Sequence, residues 1–463
     1  MIADEVSPLH AGSAALICLT TLMSFLVVPN EVYANEATIW VAGINESFDP
    51  VAAVLEYGSN QKTLNQGWRD FKSIDGKNRI RYQRVVLKNL SPRQSYSLGL
   101  RAGGELKANG SITTLPDRLP VASQRPLTVL LGSCYYGRED KAGVVGQTYR
   151  SLPPEAQPDM KFLCGDQVYL DQPPQDFLNP LHGKSWLQAR SFKTYVDTWT
   201  QSTPGGGFGK MLSHNANFFS SDDHEYWNNA PDIGLNVPFF TTTPGKRKDW
   251  WDTARELYQI FQTVPGLPVK FKVEPLSFCI AETRFNRGSA GGDFMLPATF
   301  DDLGNWAATL GGPGVLVLGQ PFFENTGSSK DYGLPDFKSQ YQRLKQYLRQ
   351  SKHTIVILTG DVHYGRLSVA NLRPELGTKL YEIISSPMQL VPLGGGDYQA
   401  APQVFGSVTS QPEFSLKRNH FLTLEFTASS AQRASMVVRF WPIIKSGIQG
   451  QSQVIGNGPI ELI

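Results

Sequence analysis

Six apolar runs that each close on a polar cluster constrain this chain more than anything else in it. They are LTVLLGSC (127–134), MKFLCGD (160–166), NANFFSSDD (215–223), LSFCIAETR (276–284), GVLVLGQ (314–320) and HTIVILTGDVH (353–363). A strand that is apolar without alternation stays out of water only when both faces of its sheet are covered, and crossover helices provide that cover in an α/β fold. Ligands in open α/β sheets gather at the carboxyl ends of the strands, which is where these polar clusters fall.

Between the runs, residues 185–199 and 248–264 read as helices, and 336–350 (DFKSQYQRLKQYLRQ) sets Phe337, Tyr341, Leu344 and Leu348 on one helical face. Glycines 205–207 and residues 241–245 read as mobile loops over the strand ends. A different pattern precedes position 117. The segments TIWVAG, AAVLEYG, RYQRVVLKNL, YSLGLRA and GSITTL, parted by Asn, Gly, Ser and Pro, predict an all-β sandwich over 35–117. Within it, LSPRQSY (90–96) followed by alternating SLGLRA resembles the tyrosine corner of a fibronectin type III-like domain, in which a Tyr hydroxyl closes onto upstream backbone. Residues 118–126 form a Pro-punctuated linker to an α/β domain over 127–463.

Residues 1–34 read as a leader. The run AALICLTTLMSFLVV (14–28) has the length of a signal-peptide core, and Val32-Tyr33-Ala34 resembles a small-residue cleavage site, which predicts export or membrane association. Against this, Asp4 and Glu5 stand where a signal peptide carries Lys or Arg, and the run is short for a bilayer span. The alternative is a cytoplasmic protein with a disposable leader, in which 25–28 opens the first strand of the sandwich.

At 463 residues the chain exceeds what one hydrophobic core supports, so two domains are expected. A formal net charge of +2, with no long run of like charges, excludes the basic stripe of a nucleic-acid binder. The four cysteines, Cys18, Cys134, Cys164 and Cys279, lack CxxC spacing, which argues against a zinc knuckle, a redox dithiol or a disulfide framework. Cys164 and Cys279 lie inside apolar runs and belong to the core.

The polar clusters carry the chemistry. Asp166 ends its strand, with Tyr169 and Asp171 shortly after. A carboxylate there can bridge two cations, and a phenolate three residues on can fold back onto the harder one. The plain alternative is an Asp capping the next turn beside a core Tyr. Asp222-Asp223-His224-Glu225 leaves another buried strand, and such clustered charge is costly unless paired or bound to metal. One Asp reads as a metal ligand and His224 as a general acid. Asp361 and His363, two apart on an extended segment, point the same way. Cys134 reads either as a soft metal ligand or as a small buried strand-end residue.

Taken in order, GSC, GDQVYLD, DDHE with Asn228 and Asn229 after it, ETR (282–284) and GDVHYGR resemble the PhoD-like alkaline phosphatase family of metallophosphoesterases, over most of 126–390. The resemblance implies a four-layer α/β/β/α sandwich behind a small all-β domain, and a site holding a ferric ion (Fe3+) beside a second divalent ion, often calcium (Ca2+). It implies that Cys134, Asp166, Tyr169 and His363 hold the iron, that Asp166 bridges to the second ion, and that Asp223 and Asp361 complete that ion's shell. An all-oxygen shell suits calcium better than zinc. The implied activity is hydrolysis of phosphate monoesters or diesters by activated water, with His224 protonating the leaving alkoxide. Arg284 and Asn228 or Asn229 would orient the phosphate, although Arg284 reads equally as a structural ion-pair partner. Two departures bear on substrate choice and packing: ETR stands in place of the family's DTR, and LGQPFFE (318–324) lacks its Trp-containing pattern. The other readings are a phospholipase-like diesterase at a membrane and a catalytically silent binding module.

Overall fold

A computed structural model describes residues 24–46, 52–202, 206–233, 242–326, 332–390, 401–402, 405, 408–410, 418–443 and 452–463. The chain is mixed α/β, and its strands up to residue 113 form two four-stranded antiparallel sheets. One runs Ser24–Val32, Glu36–Ile44, Arg79–Lys88, Arg69–Lys72 in spatial order, and the other Asn60–Thr63, Val54–Tyr57, Ser95–Ala102, Glu105–Thr113. The Tyr96 hydroxyl accepts a hydrogen bond from the backbone N–H of Ser91 at 3.0 Å, the loop closure that a tyrosine corner requires.

Ser24–Val32 is a strand paired with Glu36–Ile44 from Ser24↔Ile44 to Val32↔Ala37, which agrees with the alternative in which 25–28 opens the first strand of the sandwich. Val27 and Val32 enter one core while Val28 enters another, so both faces are covered and the run is apolar without alternation for that reason. Residues 1–23, with Cys18 and the remainder of the leader, lie outside the described residues. Among the described residues no helix is long and apolar enough to cross a membrane.

Two larger mixed sheets follow. The first orders Ala216–Ser220, Met160–Cys164, Leu127–Gly132, His420–Ala428, Ala434–Pro442 and Gln453–Leu462; the second orders Val269–Val273, Leu276–Ile280, Gly314–Val317, Ile355–Thr359, Thr378–Ile384, Arg366–Arg373 and Val408–Ser410. Val129, Leu131 and Phe162 of the first share a core with Phe278, Val317 and Leu358 of the second. Their neighbours point the other way. Leu130, Leu163 and Phe219 pack with the helices Lys184–Trp199 and Pro244–Phe261, whereas Leu316 and Ile357 pack with Pro297–Ala308 and Lys338–Gln350. Cys164 and Cys279 are buried in these cores, as expected.

The helix expected at 248–264 begins four residues earlier. Pro244, whose fixed φ and missing N–H suit a first turn, opens it, so 244–245 are helix rather than loop. Residues 203–205 and 241 lie outside the described residues. This helix and Lys184–Trp199 also pack on the first of the N-terminal sheets: Trp40 meets Phe261 with ring centroids 5.8 Å apart, Phe71 stacks on Phe192 at 5.6 Å, and Arg84 donates to the carbonyl of Gln259 at 2.8 Å.

Register explains why the polar clusters meet. Leu163 pairs in parallel with both Gly132 and Phe219, and Val317 with both Ile280 and Leu358, so each set of strands ends on one edge. Gly360 N–H then donates to the carbonyl of Gly319 at 3.2 Å, and Gly165 N–H to that of Ser220 at 3.0 Å.

Candidate metal centre

The glycines of the two GD pairs are set by close approach. A Cβ on Gly165 would sit 2.5 Å from the Cβ of Asp222, and one on Gly360 would sit 2.3 Å from the Cβ of Ser133 and 2.4 Å from the carbonyl oxygen of Cys164. Backbone therefore passes within contact of backbone beneath Asp166 and Asp361. Cys134, Asp166, Asp361 and His363 themselves adopt left-handed conformations, with φ of 55°, 58°, 71° and 56°. Such conformations cost a non-glycine residue on the order of 1 kcal/mol or more each and persist where the surroundings impose them.

Cys134, Asp166 and His363 offer ligand atoms within 4.8 Å of one another, and so do Asp166, Asp222, Asp223 and Asp361. Asp166 is common to both groups. Its Oδ2 lies 3.4 Å from Cys134 Sγ and 3.4 Å from the Tyr169 hydroxyl, which brings the expected phenol to the same point.

The electrostatics fit a cation. Burial first, then the nearby Cys134, Asp223 and Asp222, push the Asp166 carboxyl far above the ordinary carboxylate range. Burial and Asp361 push the Cys134 thiol up to about 12, and burial with Cys134 and Asp166 holds the Tyr169 phenol far above its usual value. So many groups crowded in their neutral forms become anionic ligands only when positive charge arrives. Burial also pushes His363 down to about 4, with the neighbouring His224 adding to it, and a neutral imidazole is the form that binds metal.

Within this cluster the buried carboxylate oxygens Asp222 Oδ2 and Asp223 Oδ1 have no hydrogen-bond partner. An orphaned buried carboxylate oxygen is expensive, and a coordinated cation removes the cost. The two aspartates differ in their other oxygen. Asp222 Oδ1 is clamped by Arg284 through Nε at 2.8 Å and Nη2 at 2.7 Å, whereas Asp223 Oδ2 accepts only the backbone N–H of Asn229 at 2.6 Å. Asp223 thus has an oxygen to offer a cation without an opposing guanidinium.

Arg284 makes the structural ion pair that is the alternative to a phosphate-orienting role. It is 1% exposed, and besides Asp222 its Nη1 donates to the carbonyl of Ala230 at 2.8 Å. Nε, Nη1 and Nη2 each have a partner within the protein, and Asp222 is the residue of the cluster that Arg284 touches. The ETR segment supports this with its first residue. Glu282 accepts from Ser221 N–H at 2.9 Å, Arg284 N–H at 2.8 Å and the Tyr258 hydroxyl at 2.9 Å, tying the second sheet to the DDHE turn.

His224 Nδ1 lies 2.7 Å from Asp171 Oδ1, whose other oxygen accepts the Asn228 N–H at 2.9 Å. Although burial disfavours charge, Asp171, Asp223 and Asp166 together push His224 well above the ordinary imidazole range. Asn228 is half-buried and Asn229 buried, with Asn229 Nδ2 donating to Asn228 Oδ1 at 2.7 Å. Beneath the site, Glu225 accepts the N–H groups of Asp166, Gln167 and Asp222 at 2.8, 2.7 and 2.9 Å. Sequence reasoning assigned no role to Asp171, Glu225 or Glu282. Their spacing next to the ligand motifs was the one available signal.

No family model and no curated protein matches the chain. Five solved chains do match, among them one described as the structure of PhoD. The likeness covers 93% of this chain and 92% of that one with a TM-score of 0.56 at 15% identity. The chain thus shares the PhoD fold.

Proposed function

We propose that this chain is a metal-dependent hydrolase of phosphate esters, of the alkaline phosphatase or phosphodiesterase type found in PhoD-like proteins. The observation that carries the reading is the sharing of Asp166 between two ligand clusters whose members come from four separate strand ends. In this reading the two mixed sheets and their flanking helices form a four-layer sandwich, with the N-terminal sheets as a fibronectin type III-like domain docked against it.

Cys134, Asp166, Tyr169 and His363 would hold the first ion, and a soft thiolate beside a phenolate suits Fe3+. Asp166, Asp223 and Asp361 would hold a second ion in an all-oxygen shell that suits Ca2+. Bound there, the ions supply Lewis acidity at the phosphoryl oxygens and acidify water. The chain's own contribution is orientation and proton transfer. Asp171 accepts the Nδ1 proton and, with the neighbouring carboxylates, favours the imidazolium form of His224, so the proton on Nε2 is the one that would pass to the leaving alkoxide, leaving a neutral imidazole protonated on Nδ1. Asn228, whose Oδ1 is taken by Asn229, would have its NH2 group to offer a phosphate oxygen.

A second reading, phospholipid diesters at a membrane surface, is favoured by one observation. The loop that leaves Asp171 exposes Leu178 and Leu181, at 52% and 90%. Lipid vesicles as substrate distinguish it from soluble esters.

The test is hydrolysis of chromogenic phosphate mono- and diesters by metal-replete protein. Turnover in wild type that disappears in Asp166→Asn supports the proposal, and equal turnover in both contradicts it.

A further inference from the structure

Gln320 stands just beyond the strand Gly314–Val317, in the LGQPFFE segment. Its Nε2 donates to Asp361 Oδ2 at 3.1 Å, and its Oε1 accepts from Arg287 Nη2 at 2.6 Å. Arg287 and Gln320 are 4% and 3% exposed. A guanidinium carries donors only, so an amide facing Arg287 must give it the oxygen and turn the NH2 to the aspartate. Arg287 is fixed in turn, by Nε on the carbonyl of Thr283 at 3.1 Å, by Nη1 on that of Tyr332 at 3.3 Å, and by its guanidinium 4.8 Å over the Phe337 ring.

The backbone places Gln320 with little latitude. A Cβ on Gly319 would sit 2.6 Å from the carbonyl oxygen of Ser221, so this strand end lies directly against the DDHE turn, while Gly319 O holds Gly360 N–H. Asp361, in its left-handed conformation, thus follows a residue held at its backbone N–H and is itself held at one carboxylate oxygen.

We infer that Gln320, oriented by Arg287, is a positioning residue that presents Asp361 to the second cation and sets that cation's affinity. The inference rests on the metallophosphatase reading above. A neutral amide steers one carboxylate oxygen and leaves the anion's charge for the cation, whereas a Lys or Arg at 320 would neutralise it. Hydrogen-bond partners of metal-ligating carboxylates act in this way, and their loss costs about 10- to 100-fold in metal affinity.

The experiment is equilibrium dialysis of full-length protein against graded Ca2+, with elemental analysis of both metals and hydrolysis of a chromogenic diester in parallel. Gln320→Met removes the donor at similar length without adding charge. It is expected to keep the first ion, to need about 10- to 100-fold more Ca2+ for half-occupancy of the second site, and to regain most of its kcat at saturating Ca2+. Arg287→Met, which removes the donor that fixes the amide's orientation, is expected to shift half-occupancy several-fold the same way and decides the matter should Gln320→Met fail to fold. Wild type binding two ions while the variants hold the second as tightly overturns the inference alone. Wild type that takes up no second ion overturns it together with the reading on which it rests.

Discussion

His224 Nδ1 and Asp171 Oδ1 lie 2.7 Å apart, and both residues are buried. The pair ties the end of GDQVYLD to the DDHE turn and leaves Nε2 of the imidazole as its working atom. Asp171→Asn preserves shape but offers an amide in place of the carboxylate, so the imidazolium loses its stabilising charge. Turnover should fall by about 100-fold or more, since positioned acid catalysis contributes on the order of 10²- to 10⁴-fold. Metal content should be unchanged, because Asp171 touches no proposed ligand atom. Steady-state kinetics with metal analysis checks this, and a loss confined to KM would point to substrate binding instead.

Gly360→Ala tests the close approach beneath Asp361. The added methyl meets the Ser133 side chain and the Cys164 carbonyl at 2.3 and 2.4 Å, where backbone cannot yield cheaply. Overpacking of this kind costs about 1–3 kcal/mol, so a lower melting temperature and reduced metal uptake should appear together. A variant with wild-type stability would mean that the strand ends are looser than this packing indicates.

Lys161 gives a pH-dependent stability. Its ammonium is buried against the carbonyl oxygens of His214 and Asn215, and burial pushes it from 10.5 down to about 7. Between those values the unfolded chain holds the proton and the folded chain does not. Stability through this group therefore rises from pH 7 toward 10.5, by up to about 1.4 kcal/mol per pH unit. Melting temperatures at pH 7 and pH 9 should show a larger pH-dependent gain in wild type than in Lys161→Met. Parallel changes in the two proteins would show that Lys161 keeps its charge when buried.

Tyr169→Phe bears on the identity of the first ion. A phenolate on Fe3+ produces a broad visible absorption band, so wild type should be coloured and the variant should lose the phenolate's contribution to that band, with iron retained through Cys134, Asp166 and His363. A colourless wild type that binds metal would replace iron by another ion at the same residues.

What the sequence made legible follows from burial. The six apolar runs are strands because each is covered on both faces, and unbroken apolarity can be read without knowing the partners. The antiparallel strands Arg366–Arg373, His420–Ala428 and Ala434–Pro442 went unread: Ala434–Pro442 alternates buried and half-buried residues, a weaker signal than a run of LTVLLG. Ser24–Val32 reads two ways for the opposite reason, since its apolar residues continue a longer apolar run of signal-peptide character. At the site, spacing and residue type pointed to the clusters, while the resemblance to the PhoD-like family singled out Cys134, Asp166, Tyr169, Asp223, Asp361 and His363, whose side chains lie close together. The partner of Arg284 could not be read, because whether a guanidinium meets a carboxylate or a substrate depends on which of two adjacent aspartates turns toward it. Gln320 carried no signal at all: an amide takes its role from what stands on either side.

The most direct test is metal stoichiometry by elemental analysis of purified, metal-replete wild type and Asp166→Asn. A shared bridging carboxylate predicts two ions per chain in wild type and loss of at least one from the variant. Two ions retained in Asp166→Asn, or none in wild type, would contradict a dinuclear centre built on Asp166.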